Sequence, residues 1–237
     1  MNRTITLATL TLAVAILAGC SEDSTGPGGT PVIKPQVGNQ YTYSTAGENF
    51  FLPDSVIATV VEEGITIGGK EDVYRVALEL YYDGISDDTS SLFLRYLANG
   101  DVEIFDDLND DAEVYGMSPL WITLPFTSPD GITVPLIDTT FVNGNNATEG
   151  SRYSLITANL GAGTATVGEE TLETWKALMK LDGMVLRPGF GNQVAVTEYT
   201  YTLAPKIGFF SSIHDKRTRD SSTYDNISLT LTSYSLK

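Results

Sequence analysis

One cysteine and one histidine stand in a chain of 237 residues, and each scarcity removes a class of chemistry. The lone Cys20 has no intramolecular disulfide partner, so even in an oxidising compartment the core alone must hold the fold. His214 with no second thiol falls short of the histidine- and cysteine-rich sets that bind zinc. A hydrolytic triad needs a nucleophile, a base and a carboxylate that orients the base. No nucleophile-elbow pattern accompanies His214, which with Asp215 and Lys216 stands near the end of an expected strand, and Lys216-Arg217 beside it suggest an exposed turn. Positive charge is also scarce: 14 Lys and Arg face 30 Asp and Glu, for a net charge of −16. That balance excludes nucleic acid as a partner, since phosphate backbones reward basic patches. It equally opposes adhesion of the protein body to an anionic bilayer. The apolar stretch Ile5–Leu17, broken by threonines, is shorter than the roughly 20 residues a membrane helix needs.

That short stretch has another reading. Arg3, the apolar run and Leu17-Ala18-Gly19-Cys20 form a basic start, an apolar region and a small-residue end. The tetrapeptide resembles the lipobox of bacterial lipoproteins. The resemblance implies a signal peptide over 1–19, cleavage before Cys20, and diacylglycerol and an amide-linked acyl chain on Cys20. Several chains on one residue give stable anchoring. Ser21 resembles the residue choice that sends lipoproteins to the outer membrane, and Glu22-Asp23 resembles the surface-export signals of Bacteroidota-type lipoproteins. Residues 20–36 then form an acylated cysteine and a flexible, Gly/Pro-rich linker with a reach of about 20 Å.

From residue 37 to 237 the chain reads as a β-rich domain: mainly β, an antiparallel curved sheet, half-barrel or sandwich. Asp83-Gly84, Asn99-Gly100, Asp130-Gly131, Asn143-Gly144 and Asp182-Gly183 supply turn signals. Around Asn99-Gly100 a two-residue loop would set Arg95 opposite Ile104. A three-residue loop puts Leu92, Leu94 and Tyr96 on one face with Val102 and Ile104 and is the register expected, because one residue of slip flips every side chain. Tyr74, Val76, Leu78, Leu80 and Tyr82 share a strand face, and the phase change between Leu231 and Tyr234 predicts a bulge. Residues 169–181 suit either a helix or a strand: propensity favours the helix, and the alternation of Trp175, Ala177, Met179 and Leu181 suits the strand.

Two segments share a plan, which suggests repeats over 37–118 and 146–237. Gly38–Tyr43, Ala58–Val60 and Gly69–Leu78 correspond to Gly150–Leu155, Ala165–Val167 and Gly168–Met179. Gly38-Asn39-Gln40-Tyr41-Thr42-Tyr43, Ala204-Pro205-Lys206-Ile207-Gly208 and the closing Leu229–Tyr234 resemble elements of uncharacterised secreted bacterial β proteins. The resemblance implies a β fold and export, with no reaction attached.

Asp101, Glu103, Asp106, Asp107, Asn109, Asp110, Asp111 and Glu113 form an acidic loop. Asp107-x-Asn109-x-Asp111 mimics the start of a calcium-binding EF-hand. Ala112 stands where the turn glycine belongs and Ser118 where the bidentate glutamate belongs, so a solvated acidic loop is the reading. Phe50-Phe51, Trp121 with Phe126, and Phe209-Phe210 serve as core or line an apolar cavity. The sequence assigns no catalytic residue, metal or cofactor. It supports a membrane-anchored, non-enzymatic envelope module binding or scaffolding an unknown protein. A carrier or sensor of a lipid or other hydrophobic ligand in the curved sheet stays open, by fold-level analogy with half-barrel lipoprotein carriers. So does a glycan hydrolase, because carboxylates abound.

Overall fold

The computed structural model describes residues 31–47, 52–106, 120–128, 131–138, 140–142, 148–187, 191–220 and 222–237. Cys20, the signal segment, the first part of the linker, Phe50-Phe51 and the acidic residues 107–113 lie outside them. The described residues form strands β1 (Gln40–Gly47), β2 (Ser55–Ile67), β3 (Lys70–Tyr82), β4 (Ile85–Tyr96), β5 (Val102–Asp106), β6 (Leu120–Leu124), β7 (Ile132–Asp138), β8 (Phe141–Val142), β9 (Thr148–Val167), β10 (Glu170–Arg187), β11 (Gly191–Ala204), β12 (Phe209–Arg219) and β13 (Ser222–Ser235). They make one antiparallel sheet in the order β6-β5-β4-β3-β2-β1-β13-β12-β11-β10-β9-β7, with β8 also paired to β9.

The path begins at β6 and ends at β7, yet only residues 125–131 separate these strands in the chain. The sheet must therefore curl until its two ends meet. Asn159 of β9 fastens them by donating from Nδ2 to Phe126 O at 2.9 Å and Ser128 O at 3.2 Å. The sheet stays unclosed: β6 and β7 are its edges, and Pro135 in β7 marks an edge, since proline brings no ladder donor. The result is a half-barrel with its apolar faces turned inward.

Turn chemistry sets the registers. Tyr82 pairs with Ile85 across Asp83-Gly84, whose φ values of 49° and 76° are those of a type I′ hairpin. Leu94 pairs with Ile104 and Tyr96 with Val102, so Ala98-Asn99-Gly100 is the expected three-residue loop, closed by Leu97 N–H to Asp101 O at 2.9 Å. The ladder between β1 and β13 shifts between Thr42 and Tyr43, skipping Thr232, where the phase change had placed a bulge. Residues 170–181 are strand, with Trp175, Ala177 and Met179 buried together. Asp182-Gly183 is no turn. It lies inside β10 opposite Tyr153, whose ring occupies the space a Cβ on Gly183 would need. Hairpin β2–β3 turns at Gly68-Gly69 and hairpin β9–β10 at Gly168-Glu169. Gly38–Tyr43 leads into and occupies β1, whereas Gly150–Leu155 lies within β9 together with Ala165–Val167.

One end of the half-barrel is filled. Tyr41 stacks on Phe209 with centroids 4.3 Å apart, and Trp175, Phe126, Phe210, Leu94 and Leu203 are buried around them. A bulge at Ser211 shifts the β11–β12 register and turns the consecutive Phe209 and Phe210 both into the core. The turn Pro205–Gly208 plugs this end, receiving hydrogen bonds from Tyr41 Oη to Ile207 O (3.0 Å) and Tyr96 Oη to Gly208 O (2.6 Å). Tyr43 Oη donates to Phe210 O at 2.6 Å. Burial pushes the Tyr41 hydroxyl up to about 12 and those of Tyr43 and Tyr96 well above their ordinary value, so all three act as neutral donors. Each such buried aromatic contributes on the order of 1.5–3 kcal/mol of apolar burial.

Candidate functional site

The opposite end is open. Val56, Leu78, Leu80, Ile213, Ile227 and Leu229 converge there from β2, β3, β12 and β13 and leave a cavity of about 280 Å³. Leu52 and Pro53, between β1 and β2, close one side, and Thr45 Oγ1 donates to Pro53 O. The volume is roughly twice the ~150 Å³ cavity that holds a benzene and borders the lower range of small-molecule sites, about 300 Å³. The filled end and the empty end differ through residue size: aromatics occupy inward positions near Pro205, and Val, Ile and Leu those near the mouth.

Polar groups gather at the mouth in register. Tyr199 pairs with Asp215, Asp215 with Ile227, and one rung further out Arg217 pairs with Asp225. Tyr199 and Asp215 line the cavity. Arg217 Nη2 donates to Asp215 Oδ2 at 3.0 Å along its own strand and to Tyr199 Oη of β11 at 3.3 Å, turning away from β13. Asp225 Oδ1 is buried and has no hydrogen-bond partner. Burial raises the Asp215 carboxyl above its ordinary value even though Arg217 pulls the other way. Burial also works against the Arg217 charge, but Asp215 and Tyr199 outweigh it and hold the guanidinium above its usual value.

The histidine belongs to another face. His214 lies in a strand as expected, but β12 runs on through Lys216 and Arg217, so no turn stands beside it; its Nε2 is 2.6 Å from Asn226 Oδ1 on the convex side. Alternation along the strand points its neighbour Asp215 into the cavity, so the two side chains diverge. Trp121 and Phe126 are likewise separated. Phe126 packs in the core against Phe210, whereas Trp121 sits on the convex face against Phe105, donating from Nε1 to Ile67 O at 3.2 Å.

The acidic segment corrects the expectation of a solvated loop where it is described. Asp101 is 2% exposed. It accepts from Thr127 N–H (2.8 Å), Thr127 Oγ1 (2.9 Å), Asn99 Nδ2 (2.8 Å) and the Ser128 hydroxyl, tying the β4–β5 loop to the chain leaving β6. Glu103 is buried on the convex face between Lys70 Nζ at 2.5 Å and Arg95 Nη1 at 2.9 Å. Both carboxylates are thus structural, placed there by pairings between residues distant in sequence. Among the described residues no three His, Cys, Asp or Glu side chains gather as a metal site.

Burial alone would raise the Glu103 carboxyl, but hydrogen bonds from Lys70 and Arg95 outweigh it and hold the group below 4.5. A carboxylate depressed on folding stabilises above its unfolded value and loses that contribution as pH falls through the folded value. Glu103→Gln is therefore expected to lower stability by about 1–2 kcal/mol near neutrality. Thermal melts should show the gap between variant and parent closing below pH 4.5; a gap unchanged down to about pH 3 would contradict this linkage.

Two solved structures resemble the chain at low identity. One, a “putative lipoprotein” from Parabacteroides distasonis, is 12% identical, with 86% of this chain and 98% of that one covered and a TM-score of 0.49. The other, a “putative exported protein with YmcC-like fold” from Bacteroides fragilis, is 13% identical, with 87% and 99% covered and a TM-score of 0.47. No protein-family model and no curated protein matches the chain. Likeness at this level carries no statement about function.

Proposed function

We propose that this is a non-enzymatic binding protein of the bacterial envelope, tethered through lipid on Cys20, that holds a small apolar group in the open end of its half-barrel. The observation that carries the reading is the cavity itself: a space of about 280 Å³ walled mainly by Val, Leu and Ile side chains, beside a core that is filled by aromatic and aliphatic side chains together. An unfilled apolar void costs dispersion contacts, and an apolar occupant restores them. The lining also argues for an apolar ligand over a sugar, whose hydroxyls would find few partners and would be desolvated at a cost. Asp215 and Asp225 do bring two carboxylates together, but Arg217 already holds Asp215.

The tether enters at the far end. Ile33 N–H donates to Pro205 O at 2.9 Å, Val32 packs against the core, and a Cβ on Gly208 would collide with the Ile33 carbonyl. Residues 32 and 33 thus dock beside the plugged end, at the end of the half-barrel opposite the mouth. Ser21 favours the outer membrane as the site of anchoring.

The Cys20→Ser variant tests both halves of the proposal. Cell fractionation is expected to move the protein from the membrane to the soluble fraction, and retention in the membrane fraction would refute the anchor. Native mass spectrometry of the released protein is expected to show a retained small apolar molecule; bare protein under gentle conditions would count against the cavity.

A further inference from the structure

The mouth carries a charge pattern that the apolar void does not require. Asp215 and Asp225 occupy diagonal positions on adjacent strands, and diagonal neighbours lie roughly 7–8 Å apart. Between them they present two carboxylates to one guanidinium. Arg217 stands directly opposite Asp225, yet its hydrogen bonds go to Asp215 and Tyr199. Asp225 Oδ1 is left buried and without a donor, and such an unpaired acceptor is costly. Asp225 stands beside the cavity and Asp215 lines it, so the place where the apolar wall ends carries two carboxylates against one guanidinium and favours a positively charged donor.

We propose, on the reading that the cavity is a ligand site, that its ligand is an amphiphile with a primary ammonium head: the alkyl part lies among Leu78, Leu80, Ile213 and Leu229, and the nitrogen donates to Asp215, with the Asp225 charge close by adding to the attraction. An ammonium brings three donors and no acceptor, matching the Asp215 carboxylate and the Tyr199 hydroxyl, both of which line the cavity. A carboxylate head would meet Arg217 only after displacing Asp215, and would stand against Asp225. The net charge of −16 adds a long-range preference of the same sign.

Calorimetric titration of the whole protein with octylammonium, octanol and octanoate, equal in chain length and different in head, tests the assignment. Octylammonium is expected to bind about tenfold more tightly than octanol, as charge-assisted hydrogen bonds allow, and octanoate more weakly than either. Asp225→Asn should bring octylammonium down towards octanol and leave octanol unchanged, which also shows that the variant is folded. If Asp225→Asn loses octanol as well, the order of the three probes on the parent protein decides. Octanoate binding as tightly as octylammonium, or an undiminished ammonium preference in a folded Asp225→Asn, would overturn the head-group assignment while octanol binding leaves the cavity standing. Failure of all three probes would overturn both.

Discussion

Leu229→Trp is expected to abolish octanol binding, lowering affinity at least about tenfold, while leaving the melting temperature unchanged or raised. Leu229 lies on β13 and lines the cavity with Ile213 from β12 and Leu78 and Leu80 from β3. A larger side chain in a well-packed core usually costs about 1–3 kcal/mol. Here the indole enters about 280 Å³ of unoccupied space and gains dispersion contacts instead. Lost binding with kept stability separates a filled cavity from a damaged fold. Leu229→Ala is the counterpart: it enlarges the void, so stability falls and octanol still binds. Titration and thermal melts on the same samples check both variants. Unaltered octanol affinity in a folded Leu229→Trp would place the ligand elsewhere.

Asp101→Ala should be the most destabilising single change among the polar residues, at about 3 kcal/mol. One carboxylate satisfies the amide of Thr127, the hydroxyls of Thr127 and Ser128, and the Asn99 side chain, all at the place where the chain crosses between the sheet's two ends. Removing it leaves several part-buried donors without acceptors, and each hydrogen bond to a charged group is worth roughly 1.5–3 kcal/mol. In a chain of this size that corresponds to a fall of about 6–12 °C in melting temperature. Asp101→Asn keeps one acceptor oxygen and should lose roughly half as much. Hydrogen exchange should quicken first at residues 125–128 and along β6. A fall under about 1 °C would show that the crossing is held by other contacts.

What the sequence revealed follows the range of the interactions. The Ala98–Gly100 loop and the bulge at Thr232 were legible because a single slip would have turned Leu94, Ile104 or Leu231 outward. Residues 170–181 were ambiguous because local propensity and alternation disagree; burial of Trp175, Ala177 and Met179 against neighbouring strands decides for strand. Asp182-Gly183 misled because its partner is Tyr153, thirty residues away in sequence and directly opposite in the sheet. Asp101 and Glu103 looked solvated because Thr127, Lys70 and Arg95 meet them only after folding. The cavity was the least legible feature. Nothing in the sequence around Ile213, Ile227 and Leu229 sets them apart, and nothing in one strand tells whether its neighbours bring aromatics or Val, Ile and Leu to the same layer. His214 is the single histidine of the sequence and faces outward, while Asp215 beside it takes the inward face.

The measurement that bears most directly on the central claim is where a bound chain sits. Intermolecular nuclear Overhauser effects between the octanol methyl group and the protein are expected to the methyl groups of Leu78, Ile213 and Leu229, with octanol bound one to one. Contacts confined to exposed apolar residues such as Ile132 and Val134 of β7, or no contacts at all, would contradict a ligand-binding half-barrel.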